Sequence, residues 1–221
     1  MKTFPNDGGG TTLVLAGGDD LSAVPESHRD IISDAVRDAF RDPVAHFSEI
    51  ATRTTIPNLR NYLSNFIASG RWALLLADTY MMDRATIAAF QWVHPGQHPC
   101  MLGLPVPDCD DDRFAPFYGC LSMAHWDSIG FAGGIVSYRK QIPIAAYGTS
   151  STNPTFPADT STVFGNSSCG DMMVCNSSGD AGYLSHENGA SYVIGTLPEM
   201  LDWIFGELLQ GRTPEFDYSR F

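Results

Sequence analysis

Six residues that can ligate a metal or act as nucleophile and base fall within about thirty positions: His94, His98, Cys100, Cys109, Cys120 and His125. Imidazole and thiolate together are zinc ligands, and a tetrahedral site needs four of them converging. Their spacing matches no common zinc pattern, and Pro95, Gly96 and Pro99 make the first part of the segment an irregular loop. Surface histidines and buried thiols explain the same residues, so no metal and no cofactor is expected. Asp108-x-Asp110-Asp111-Asp112 offers hard oxygen ligands of the kind calcium takes. An EF-hand loop needs Gly at its sixth position and Glu at its twelfth. Counted from Asp108, those positions hold Arg113 and Gly119. The run therefore reads as a solvated acidic loop, or as a contact for lysines and arginines of a partner.

Hydrolytic devices are incomplete. No Gly-x-Ser-x-Gly is present, and His186-Glu187 lacks the second histidine of a metalloprotease helix. Cys169 and His186 could meet across neighbouring strands, although a buried thiol beside an exposed histidine is the commoner arrangement. Trp72, Trp92, Trp126 and Trp203 lie inside apolar patterns. Three of them are expected in the core. Trp126, flanked by His125 and Asp127, is the one expected at a surface, where tryptophan can anchor an interface.

These residues must be held by the rest of the chain. Its 221 residues are enough for a large core without staples, and 43% of them are hydrophobic. The net charge of -12 opposes binding to nucleic acid and to anionic membranes and favours basic partners. No apolar run reaches the ~20 residues that cross a bilayer. The segment from Met1 to Gly8 reads as no secretory leader, and five cysteines without one read as free thiols in the cytoplasm.

Helical spacing runs from Ser22 to Phe40, again from Val44 to Thr52, and from Ile56 to Gly70, where Leu59, Tyr62, Leu63, Phe66 and Ile67 recur on one face. Asp83 is expected to cap a helix through Phe90. Short strands are expected at 117–121, 133–138 and 142–147, with a linker at 150–159. After Gly170 the pattern is strand, turn, strand, turn, strand, then a helix opening at Thr196-Leu197-Pro198-Glu199. Helices first, strands next and one closing helix predict an α+β fold: N-terminal helices, a central antiparallel or mixed β-sheet, and a C-terminal helix packed on the sheet.

Gly170-Asp171 before an apolar strand, Gly182-Tyr183-Leu184 before His186-Glu187, and the terminal helix Leu197-Pro198-Glu199-Met200-Leu201-Asp202-Trp203-Ile204 followed by Gly211-Arg212 carry a family likeness. With Ile56-Pro57-Asn58-Leu59-Arg60-Asn61-Tyr62-Leu63, they resemble the SMI1/KNR4, or SUKH, superfamily. The resemblance places a SUKH-like α+β domain at 56–221 and an N-terminal extension with helices at 1–55. It implies a bacterial immunity protein that binds a cognate toxin, such as a basic nuclease, and occludes its active site without catalysis. Asp108, Asp110, Asp111, Asp112 and Trp126 are then the candidate partner-binding residues. The alternative is a hydrolase or metal-assisted enzyme built on the His/Cys segment 94–125.

Overall fold

The computed structural model describes residues 34–69, 109–126, 133–147 and 153–220, with Glu26, Ile32, Leu102 and Gly103. For the strands at 2–5, 11–16, 71–76 and 86–91, and for residues 35, 69, 100 and 101, it describes the backbone alone.

The chain is α+β. Among the described residues twelve strands join one sheet, and every pairing is antiparallel. They are β1 (Lys2–Pro5), β2 (Thr11–Ala16), β3 (Arg71–Leu76), β4 (Thr86–Gln91), β5 (Cys100–Gly103), β6 (Ala124–His125), β7 (Gly134–Ile135), β8 (Ile142–Pro143), β9 (Thr162–Asn166), β10 (Met172–Cys175), β11 (Asp180–Leu184) and β12 (Ser191–Thr196). Neighbours in sequence are neighbours in the sheet, except at β9. There β7 pairs with residues 165 and 166 while β8 pairs with 162 and 163. The helices are α1 (Asp34–Arg41), α2 (Pro43–Arg53), α3 (Pro57–Ser69), a single turn α4 (Ala115–Tyr118) and α5 (Leu197–Leu209).

Local chemistry explains the helix starts. Asp42 accepts a bond from the Ala45 N–H at 3.0 Å, with Pro43 in the first turn of α2. Glu199 accepts from the Thr196 N–H at 2.7 Å and from its hydroxyl at 2.9 Å at the start of α5. Helix α3 is capped from outside itself. The Asp202 carboxylate on α5 accepts the Asn58 N–H at 2.7 Å, and the Asn58 side-chain amide donates to Asp202 Oδ2 at 3.1 Å and to its carbonyl at 3.0 Å.

The sheet is covered on both sides at β10, so all four of its residues are buried. Alternate side chains take opposite faces. Met173 and Cys175 join Phe164, Ala181 and Tyr183 in the cluster that holds α2, α3 and α5. Met172 and Val174 join Val163, Leu184, Ile144 and Phe156 on the other face. Ring contacts tie the helices together: Phe47 to Phe66 at 5.9 Å, Tyr62 to Phe205 at 5.4 Å and Phe117 to Phe205 at 6.3 Å. On α5, Leu201, Ile204 and Phe205 are buried while Trp203 between them is only partly so, as one apolar face of a helix requires.

Three expected elements differ. Of the strand expected at 142–147 only Ile142–Pro143 pairs, with β9, and Ile144–Tyr147 turns as a short 3-10 helix. Thr86–Gln91 is a strand and not the end of a helix capped by Asp83. Its alanines have good helix propensity, but the segment pairs β3 on one side and β5 on the other, and sheet pairing overrides that preference. The expected strand at 117–121 begins inside the helical turn α4, where Pro116 suits a first turn and the Phe114 and Ala115 N–H groups close on the Asp111 carbonyl.

Candidate functional site

The acidic loop leads into α4 and is built around one arginine. Arg113 forks onto the Asp111 carboxylate, with Nη2 to Oδ2 at 2.6 Å and Nε to Oδ1 at 3.0 Å. Asp111 Oδ1 also accepts the Arg113 backbone N–H at 3.0 Å. The other arm of the guanidinium, Nη1, donates to the Asn176 carbonyl at 2.8 Å. Asn176 opens the β10–β11 turn, and its Oδ1 accepts the N–H groups of Ser178 and Asp180, each at 3.0 Å. The loop is therefore tied to the sheet across 63 residues of sequence. The hydrogen bonds from Arg113 hold the Asp111 carboxyl below its ordinary pKa, and the same pair raises Arg113.

Asp111 is thus neutralised within the fold, while Asp110 and Asp112 are exposed. Asp110 Oδ1 accepts the Tyr138 hydroxyl at 2.6 Å, and this bond, with the carboxylate charge behind it, pushes the Tyr138 phenol up to about 12. Tyr138 packs on Tyr118 at 5.4 Å. The Tyr118 hydroxyl is fully buried, donates to the Val136 carbonyl at 2.6 Å and accepts from Gln141 Nε2 at 3.0 Å. The loop that carries Asp110 and Asp112 thus rests on an aromatic and hydrogen-bonded base. Asp108 lies outside the described residues.

Trp126 is not at the surface. Its side chain is 3% exposed and belongs to the main core cluster. The polar neighbour that suggested otherwise, His125, is itself buried in β6, an inner strand between β5 and β7. Tyr138, partly exposed, is the aromatic residue that the fold sets beside the acidic loop.

Of the His/Cys segment, His94, His98 and the Cys100 side chain lie outside the described residues. Cys120 and His125 are buried, and Cys109 is partly so with its thiol on the Asp111 carbonyl at 3.5 Å. Burial raises the Cys109 and Cys120 thiols, away from the thiolate form that metals and nucleophilic catalysis use. Among the described residues, no three of His, Cys, Asp and Glu stand where they could share a metal ion.

A second polar cluster joins residues distant in sequence. Asp171 is wholly buried at the start of β10. Its Oδ1 accepts the His186 N–H at 3.1 Å and faces His186 Nδ1 at 3.0 Å. The Tyr218 hydroxyl donates to its two oxygens, each at 3.1 Å. The Ser167–Gly170 turn prepares this position: Asp171 N–H meets Ser167 Oγ at 3.0 Å, and Gly170 takes a φ of 93°, open to glycine. Because β10 and β11 are in register from Met172–Leu184, Asp171 falls beside the turn that carries His186. His186 thus meets Asp171, and exposed Cys169 stands two residues from that carboxylate with its thiol raised, chiefly by the Glu215 charge. The sequence signal for this pair was Gly170-Asp171 at a strand start and His186 at the end of the paired strand. Tyr218 carried no such signal.

Comparison with family models, with characterised proteins and with solved structures found no match for this chain. No helix among the described residues is long and apolar enough to cross a membrane.

Proposed function

We propose that this chain is a cytoplasmic immunity protein of the SUKH type, a stoichiometric binder that neutralises a cognate toxin by covering its active site. One observation carries the reading. The Arg113 brace spends Asp111 inside the fold and holds the loop so that Asp110 and Asp112 face outward beside Tyr138. A preorganised acidic edge loses little conformational entropy on binding and speeds encounter with a basic surface. If the toxin is a nuclease, these carboxylates stand where its phosphate substrate would. The resemblance to the SUKH superfamily, carried by motifs between Ile56 and Arg212, supports this role. The test is genetic: a toxin gene is expected beside the gene for this chain, and co-expression is expected to restore growth of cells making that toxin. Absence of rescue by folded, soluble protein refutes the reading.

The Asp171–His186 pair favours a second reading, hydrolysis with His186 as base. An imidazole oriented through Nδ1 by a buried carboxylate is the base half of a catalytic triad. The raised Cys169 thiol works against it as the nucleophile. Replacement of His186 by Ala separates the two: toxin rescue survives it under the first reading, and hydrolytic activity of the purified protein is lost with it under the second.

A further inference from the structure

The segment after α5 folds back across β11 and β12 as a strap. Its near end is fixed by Arg212, whose guanidinium forks onto Glu207. Its middle is Phe216, 5% exposed, set against Tyr192 at 5.2 Å and Tyr183 at 6.3 Å. Tyr183 donates to the Pro214 carbonyl at 3.2 Å, and Trp203 stands edge-on to its ring at 6.1 Å. The far end is latched by Tyr218 on buried Asp171 and by the Asp217 N–H on the Tyr192 hydroxyl at 3.0 Å. Arg220 lies over the Tyr192 ring at 4.3 Å.

The two sides of this contact differ in how firmly they are held. Tyr183 in β11 and Asp171, just before β10, are wholly buried. Tyr218, Ser219 and Arg220 are exposed, and Glu215 Oε2 is buried on the strap with no hydrogen-bond partner among the described residues. An unpaired buried carboxylate oxygen weakens closure. Beyond the buried Phe216 the strap has few buried apolar contacts, and such an end opens before the core does. Beneath the strap lie the Tyr183 and Tyr192 rings and the buried Asp171 carboxylate that holds the Tyr218 hydroxyl. That combination suits a guanidinium beside an aromatic hydroxyl, which is what Arg220 and Tyr218 supply.

We propose that residues 213–220 are an internal stand-in for a partner segment. The strap closes an aromatic, acidic groove over Tyr183 and Tyr192. An arginine-bearing, aromatic segment of a basic protein partner displaces it, with its arginine on Tyr192 and its hydroxyl donor on Asp171. The class of occupant rests on the reading of a basic protein partner. The groove itself is tested without a toxin.

The probe is a fluorescent peptide of sequence Thr-Pro-Glu-Phe-Asp-Tyr-Ser-Arg, matching 213–220, added to the full chain and followed by anisotropy. In the wild type the tethered strap competes at high effective concentration, so the peptide binds weakly. Tyr218→Phe removes a hydrogen bond to a carboxylate from the tethered copy and tightens peptide binding roughly tenfold or more. A peptide with Ala in place of its arginine binds that variant about two- to fivefold more weakly. No saturable binding to folded Tyr218→Phe, equal binding to both chains, or indifference to the peptide arginine would overturn the proposal. Hydrogen exchange on the unaltered chain guards against a variant that fails to fold. Amides 216–220 exchange well ahead of those in β11, and exchange in step with β11 also overturns it. Failure here with toxin rescue intact removes the groove alone. Failure of rescue with the groove intact removes the immunity reading alone.

Discussion

Replacement of Arg113 by Ala tests whether the acidic loop is braced or merely acidic. The substitution deletes the fork on Asp111 and the bond to the Asn176 carbonyl, and it removes the guanidinium that sits 5.4 Å from the Phe114 ring centre. The Arg113 and Asp111 side chains are 32% and 28% exposed, so water screens the ion pair and it contributes about 1 kcal/mol at most. The bond to Asn176 adds about 1 kcal/mol, because water can partly replace it. A loss of about 2 kcal/mol is therefore expected in urea unfolding, with the denaturant slope unchanged. Arg113→Lys keeps the charge but cannot form the planar fork, and should recover no more than about half. Under the proposed immunity function, binding to the cognate toxin gives a sharper readout. The variant shifts net charge from -12 to -13, so long-range attraction alone predicts faster association with a basic toxin. A brace predicts weaker binding, because the loop must be ordered on contact. A stability loss below about 0.5 kcal/mol, or binding as tight as the wild type, would refute the brace.

Asp202→Ala removes the cap that α5 supplies to α3 and should cost about 1–3 kcal/mol in urea unfolding. A cycle with Asn58→Ala should show coupling of about 1 kcal/mol, and strict additivity would contradict the shared cap. Tyr118→Phe strands the Val136 carbonyl and the Gln141 amide and should cost about 1–3 kcal/mol, measured the same way. The pH dependence follows from the Asp111 carboxyl, held below its ordinary value in the fold. The unfolded chain then binds the proton first, so this contribution is complete above about pH 4 and fades as pH falls below it. Acid titration of Arg113→Ala should show a shallower fall than the wild type.

The helices and the closing strands were legible because their patterns are local. Leu59, Leu63 and Phe66 repeat at helical spacing and are buried, and Pro198 with Glu199 marked the start of α5. Strand β4 was illegible because Ala88 and Ala89 favour helix in isolation, and only the neighbouring strands decide their state. Trp126 misled because polar neighbours in sequence say little about exposure on an inner strand. The acidic loop was visible as charge, but the charge count hid that Asp111 is consumed by Arg113. Asp171, His186 and Tyr218 meet across gaps of 15 and 47 residues, which composition and spacing cannot connect.

Neutralisation of a toxin by stoichiometric binding is the proposed function. The most direct measurement is titration of the purified neighbouring toxin with this protein while the toxin's own activity is followed. Toxin activity is expected to fall linearly to zero at one equivalent, and Asp110→Asn with Asp112→Asn to slow association and flatten its dependence on salt. Full toxin activity in the presence of excess folded protein would contradict it.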